Sequence, residues 1–137
     1  MNDCIFCKIV RGEIPSHKIY EDAFSYVFLD INPLTEGHTM VIPKEHYQTL
    51  QEMPASLAGK LFETVSVATG KIEKAMGAIA TTVGINNGPG AGQVVRHVHV
   101  HIIPRFEKDG GGNLHSVIHK GSALSLEAVK AKILTQF

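Results

Sequence analysis

With 137 residues, 44% of them hydrophobic and 19% charged, the chain has the size and balance of one globular domain with a core of its own. Its 13 Lys and Arg match its 13 Asp and Glu, which excludes a global pull toward nucleic acid or anionic lipid, so any bound anion has to be held by a local site. No apolar run approaches the roughly 18 residues of a membrane span, and the opening MNDCIFCKIV lacks a basic segment leading into a long apolar one; with only two cysteines, the expectation is a cytoplasmic, reduced protein that engages neither membrane nor nucleic acid.

No internal repeat and no linker divides the chain, so residues 1–137 are read as one domain. CIFCKIVRGEIP is a short apolar opening that ends in Gly and Pro turn signals. HKIYED (17–22), FSYVFLDI (24–31) and HTMVIP (38–43) have strand length and strand patterning, with NPLTEG as the turn between the last two, and predict adjacent antiparallel strands. From Pro54 to Met76 the period changes. Leu57, Leu61, Val65, Ile72 and Met76 fall near helical spacing, with Pro54 suited to the first turn and Gly77 to the end. Two further strands, ATTVGIN (80–86) and RHVHVHIIP (96–104), flank the Gly-rich NGPGAG. KDGGGN leads into a segment without a clear pattern, and SLEAVKAKILTQF predicts a C-terminal helix capped by Ser125, with Leu126, Val129 and Ile133 as its apolar face. Neighbouring strands with segregated helices argue for an α+β fold.

The most informative segment is RHVHVHIIP. On a strand, His97, His99 and His101 share one face, while Val98, Val100 and Ile102 share the other and pack inward. Three imidazoles are a poor choice for a merely solvated face. Two chemistries suit them. Three histidines with an open fourth position can bind a hydrolytic zinc ion. Alternatively, a neutral imidazole nitrogen attacks phosphorus to form a covalent phosphohistidine that water then hydrolyses. The second needs anion-binding groups and a proton donor for the leaving group. NNGPGAGQ, directly upstream, offers both glycine N–H groups and the amides of Asn86 and Gln93. It is neither a dinucleotide-binding fingerprint nor a P-loop, because a strand follows it and no Lys-Ser/Thr pair closes it.

HVHVHII, preceded by NNGPGAGQ, together with CIFCKIVRGEIPS, FLDINP and GHTMVIPKEH in this order, resembles the histidine-triad (HIT) family, in particular its Hint-like and bacterial Hit-like members. The resemblance runs from Cys4 to about Arg105. It implies a HIT-like fold with an antiparallel sheet of about five strands, one long helix and a C-terminal helix, assembled as a homodimer. The implied activity is that of a nucleotide hydrolase or phosphoramidase acting at the α-phosphate of purine nucleoside 5′-phosphate derivatives of the AMP type. His99 would be the nucleophile and His101 would bind the phosphate and assist the leaving group. His97 and His38 would orient and support the site. Asn86, Gly92 and Gln93 match positions that contact phosphate and ribose, Asp30 the acceptor for the ribose hydroxyls, and Ile5, Phe6, Ile9, Phe28 and Ile31 the base pocket.

This chain departs from the pattern at Val94, where many members carry a Ser or Thr hydroxyl; the departure bears on leaving-group preference. In bacterial relatives the Cys pair holds a structural zinc, which here implies Cys4, Cys7, His46 and His97 as ligands. Neither the covalent chemistry nor the resemblance calls for an organic cofactor, and Mg²⁺ would accompany a polyphosphate substrate only. Three rivals stay open on the sequence: a dinucleoside polyphosphate hydrolase, to which HVHVHIIPR with Arg105 has some likeness, a nucleotide-binding regulator with vestigial catalysis, and a hydrolase that uses the triad as zinc ligands. His17, His115 and His119 match no functional position.

Overall fold

The structure, a computed structural model, describes residues 3–137. Five antiparallel strands form one sheet: β1 (Lys18–Glu21), β2 (Ser25–Leu29), β3 (Thr39–Pro43), β4 (Ala80–Gly84) and β5 (Val100–Arg105), in the spatial order β1-β2-β3-β5-β4. The α+β reading is thus correct, and the first three strands pair in sequence as their spacing predicts. Two helices lie on opposite faces of the sheet, and the register decides which side chains each one meets.

Val27 pairs with Val41 and Val41 with Val100, and these three, with Ile102, point to one face. The long helix α2 (Ala55–Met76) covers that face with Leu61, Val65 and Ile72. It starts one residue later than expected, because Pro54 is extended and serves as the N-cap, and it ends at Gly77, whose φ of 64° is the left-handed conformation a C-cap needs. Val27, Val41, Val100 and Ile102 are wholly buried, which at about 1.5–3 kcal/mol per side chain makes this layer the main stabilising element.

The opposite face carries Tyr26, Phe28, Met40 and Ile42, and the apolar opening covers it as a short helix, α1 (Ile5–Val10), through Phe6 and Ile9. The register places His101 opposite Met40 on this second face, and Thr82 and Gly84 of β4 beside Ile103 and His101. α1 therefore covers the β2–β3 half of the face. The β5–β4 half is left to the chain after Arg105.

The C-terminal helix α3 (Leu126–Leu134) forms with Ser125 accepting from the Ala128 N–H at 3.2 Å, as its cap sequence predicts. Its Leu126 and Ile133 nevertheless stay exposed. The helix is encoded locally, but the core is already closed by α2 and α1. Replacing Leu61 with Ala is expected to lower stability by about 2–5 kcal/mol in urea unfolding, whereas Lys74→Ala, on the exposed side of α2, should cost less than about 1 kcal/mol.

Candidate active site

The histidine segment is a strand only from Val100 onward. The ladder with β3 ends at the Val41–Val100 pair. Beyond it the Pro43 carbonyl accepts from the His97 ring Nε2 at 2.8 Å, and the Val98 N–H donates to the Tyr47 carbonyl at 2.8 Å. The segment before Val100 therefore bends at residues 95–97 and is held by the His97 ring on Pro43 and one main-chain bond to Tyr47, with the His97 ring packed beside His46 at 5.0 Å. Val98, Val100 and Ile102 all point into the α2 core, as the alternation predicts.

Main-chain groups determine where each ring carries its proton. A carbonyl can only accept, so His97 is protonated at Nε2 and its Nδ1 lone pair is free. His99 Nδ1 lies 2.7 Å from the His97 carbonyl, so His99 is protonated at Nδ1 and its Nε2 lone pair is free. Phe6 packs edge-on against the His99 ring at 5.2 Å and against His97 at 5.9 Å, holding both in place. The third ring is set from the other direction. The Leu34 N–H donates to His38 Nδ1 at 3.1 Å, so His38 is protonated at Nε2 and donates to His101 Nδ1 at 2.9 Å. His101 is left with a proton on Nε2. The site thus presents one bare imidazole nitrogen and one imidazole N–H on rings 5.0 Å apart.

Both rings of the relay stay neutral. Burial pushes His38 down, with the Asp30 carboxylate 3.6 Å from its Nε2 opposing the shift. Burial, with smaller contributions from His99 and His38, pushes His101 down to about 4. Asp30 accepts from the Asn32 N–H through Oδ1 at 2.8 Å, leaving Oδ2 toward His38.

His97 faces a second group. Its Nδ1 lies 3.5 Å from Cys4 Sγ and 3.6 Å from Cys7 Sγ, and His46 Nδ1 lies 3.3 Å from Cys7 Sγ. The four donors lie within 4.8 Å of one another and form a Cys₂His₂ set, the chemistry of a closed tetrahedral metal site. Anchoring His97 Nε2–H on Pro43 is the outer contact that directs a histidine ligand. The cluster could hold a metal ion such as Zn²⁺. Among the described residues no comparable cluster unites the three triad rings; the second group close enough to share an ion is Asp30, His38 and His101.

The Gly-rich loop is held from below. Gln93 is buried, accepts from the Gly88 N–H at 2.7 Å, and donates to the carbonyls of Gln48 and Val95 at 2.7 and 3.0 Å. Its amide braces the loop and has no free hydrogen for a ligand. Gly88 and Gly92, with φ of 98° and 93°, allow the tight turn. Asn86 lines an open cleft of about 810 Å³ together with Asp30, His38, His101, Gly90 and Ala91. Val94 projects outward, 90% exposed. Of the expected base-pocket residues, Phe6, Ile9 and Phe28 belong to the packed second face, whereas Ile5 and Ile31 are 45% and 79% exposed. His17, His115 and His119 lie on the surface.

Sequence reading missed the Leu34 N–H, the Pro43 carbonyl and the bracing residues Gln48 and Tyr47, since main-chain partners leave no side-chain signature. It also missed Leu114, Val117 and Ile118, which line the same cleft. The signal for these was present as three apolar residues inside the otherwise polar GGGNLHSVIHKG.

A profile of the HIT domain matches residues 11–108. The chain is 49% identical over 108 residues to the adenylylsulfatase HINT3 of Arabidopsis thaliana, covering 79% of this chain and 55% of the plant protein, so it spans little more than half of that relative. It is 44% identical over 108 residues to the adenosine 5′-monophosphoramidase HNT1 of Saccharomyces cerevisiae, covering 79% of this chain and 66% of the yeast protein. The crystal structure of a HIT family member from Bacillus subtilis superposes with a TM-score of 0.88 at 40% identity, covering 98% of this chain and 97% of that one.

The depressed histidines carry a sign for stability. In the unfolded chain these rings take up protons near 6.5, while folded His101 stays neutral until about 4. The unfolded state therefore binds more protons across that window, and stability falls as the pH is lowered through it. Melting temperature is expected to drop between pH 6.5 and 4, and less so in His101→Gln; equal slopes in the two proteins would contradict the buried neutral relay.

Proposed function

The chain belongs to the HIT family, and from that premise we propose that it is a hydrolase of purine nucleoside 5′-phosphate derivatives, cleaving at the α-phosphate through a nucleotidyl intermediate on His99. The observation that carries the reading is the pair of adjacent rings with opposite tautomers, 5.0 Å apart, the second of which lines the open cleft. The names of the plant and yeast relatives, an adenylylsulfatase and an adenosine 5′-monophosphoramidase, support an adenosine 5′-phosphoryl substrate.

In this mechanism His99 Nε2 attacks phosphorus as the bond to the leaving group breaks. The ring becomes positively charged, and its Nδ1–H to the His97 carbonyl turns into a charge-assisted hydrogen bond, roughly twice as strong as a neutral one. The leaving group takes the proton from His101 Nε2. The electron-rich ring left behind is stabilised by the His38 Nε2–H and by the cationic His99 ring 5.0 Å away. Water then bonds to phosphorus, returns one proton to His101 and frees His99, releasing the nucleoside monophosphate.

Asp30, with one carboxylate oxygen uncommitted to its own turn, would accept from the ribose hydroxyls. Asn86 and the glycine N–H groups of the loop would hold the phosphoryl oxygens. Gln93 and Gly92 would act by shaping that loop, and Ile5, Phe6, Ile9, Phe28 and Ile31 would form the base side of the site. The catalytic part of His97 is its carbonyl.

A zinc ion on Cys4, Cys7, His46 and His97 would supply folding energy and no reaction chemistry. The homodimer is part of the same proposal, supported by the edge strand β4 and by the exposed Phe62 and Val67 of α2. No helix among the described residues is long and apolar enough to cross a membrane.

His99→Ala should lower AMP release from adenosine 5′-phosphoramidate by about 10⁴-fold or more while the variant still binds AMP; near-normal turnover would refute the nucleophile. Metal analysis should find about one zinc per chain in the parent and none in Cys4→Ser/Cys7→Ser, with a lower melting temperature. Equal zinc content in the double variant would refute the site.

A further inference from the structure

Cys4 and Cys7 are the only cysteines of the chain, and they stand on one turn at the start of α1. Their sulfurs converge on a single atom, His97 Nδ1, at 3.5 and 3.6 Å, and lie within 4.8 Å of each other. A disulfide requires about 2.05 Å, so rotation of the two side chains with a small shift of Cys4 closes the gap. That shift is available, because Cys4 is extended, with φ of −68° and ψ of 120°, and its side chain makes no cap bond to the helix. The two sulfurs differ in access. Cys4 is half-buried, whereas Cys7 is buried. A small solute therefore meets Cys4 first, with Cys7 in reach to resolve what forms there, which is the arrangement of redox-sensing thiols. Neither cysteine lines the catalytic cleft.

His97 makes the state of this pair consequential. Its ring is wholly buried, and its Nε2–H is used on the Pro43 carbonyl. Among the described residues the partners of its Nδ1 are the two sulfurs. They supply a thiol hydrogen in the metal-free site and hold an ion in the loaded one. A disulfide has neither a hydrogen to donate nor a negative charge for a metal. It leaves His46 and His97 as two ligands of a site that needs four, and His97 Nδ1 as a buried acceptor without a donor. The consequence falls on α1, because Phe6, between the two cysteines, packs edge-on against the rings of His97 and His99.

We propose that the Cys4–Cys7 pair is an oxidation site for hydrogen peroxide, and that its disulfide ejects a bound metal ion and loosens α1 from His97. The Cys4 thiolate attacks one peroxide oxygen, the O–O bond breaks, and Cys4 becomes a sulfenic acid as hydroxide leaves. The Cys7 thiolate then attacks that sulfur, the S–O bond breaks and a second hydroxide leaves. Two electrons pass from the sulfurs to the peroxide. Both hydroxides become water with the protons of the thiols or, in the metal-loaded site, of the solvent. The metal ion leaves with its charge unchanged, and a dithiol reductant reverses the step by exchange. The disulfide spans two residues and restrains the unfolded chain less than a long loop would, so loss of the metal decides the stability of the oxidised protein. Only the effect on turnover rests on the hydrolase reading above.

The test treats the zinc-loaded protein with hydrogen peroxide and blocks the remaining thiols with iodoacetamide. It then measures intact mass, zinc set free to a chromophoric chelator, and melting temperature. Expected are a product two hydrogens lighter with no alkylated cysteine, about one zinc released per disulfide, and a lower melting temperature, all reversed by dithiothreitol and added zinc. In Cys7→Ser, which cannot close the bond, dimedone should trap Cys4 as its sulfenic acid. Zinc retained with both thiols alkylated, a disulfide between two chains, or an unchanged melting temperature after oxidation within the chain would overturn the proposal. AMP release from adenosine 5′-phosphoramidate should slow in the oxidised protein and recover on reduction. Unchanged release would overturn the link from α1 to His99 and leave the hydrolase reading standing. No release from the reduced protein would overturn that reading and leave the oxidation site standing.

Discussion

The chemistry of this site depends on three main-chain groups that determine which nitrogen of each imidazole carries its proton. The carbonyls of Pro43 and His97 and the N–H of Leu34 cannot change roles, so the rings they touch cannot either. His97 is left with a lone pair toward the cysteines, His99 with a free lone pair on Nε2, and His101, through His38, with a proton on Nε2. Three chemically identical side chains thereby acquire three different functions. Side chains free to rotate would sample both tautomers, and a fraction of the molecules would present a proton where a nucleophile is needed.

The rest of the fold serves this arrangement. The α2 layer buries Val98, Val100 and Ile102, which fixes the height of the histidines above the sheet. α1 closes over the first half of the catalytic face, and its Phe6 touches the rings of both His97 and His99. The Cys₂His₂ cluster ties α1 to the same segment, since Cys4 and Cys7 flank Phe6 and face His97. His97 is thus the junction between a potential metal site and the nucleophile, with its ring on one and its carbonyl on the other. On the second half of the face, Leu114, Val117 and Ile118 from the chain after β5 line the cleft with His38, His101 and Asn86.

Much of this was legible in the residues, and the exceptions share a cause. The five strands, α2 and α3 are written in local periodicity, caps and turn residues, and the chain follows them. The face shared by Val98, Val100 and Ile102 was legible for the same reason. The failure of the strand to include His97 and His99 was not, because it depends on where β3 ends and on a side chain reaching the Pro43 carbonyl. α1 was seen only as an apolar opening, six residues being too few to show a helical period. Gln93 reads as an available amide, yet three long-range and local bonds commit it to the loop. The divergence between His97 and His101 is invisible in an alternating HVHVH motif, since both rings leave the backbone on the same nominal side.

The most direct test of the account is to trap the reaction intermediate on protein labelled with ¹⁵N in its histidine rings and to read which nitrogen is coupled to phosphorus. A single adduct at Nε2 of His99 is expected, with Nδ1 still protonated and hydrogen-bonded. An adduct on Nδ1 of His99, or on His97 or His101, would contradict it, because each of those nitrogens is already committed to a hydrogen bond, to the cysteine cluster or to carrying the leaving-group proton.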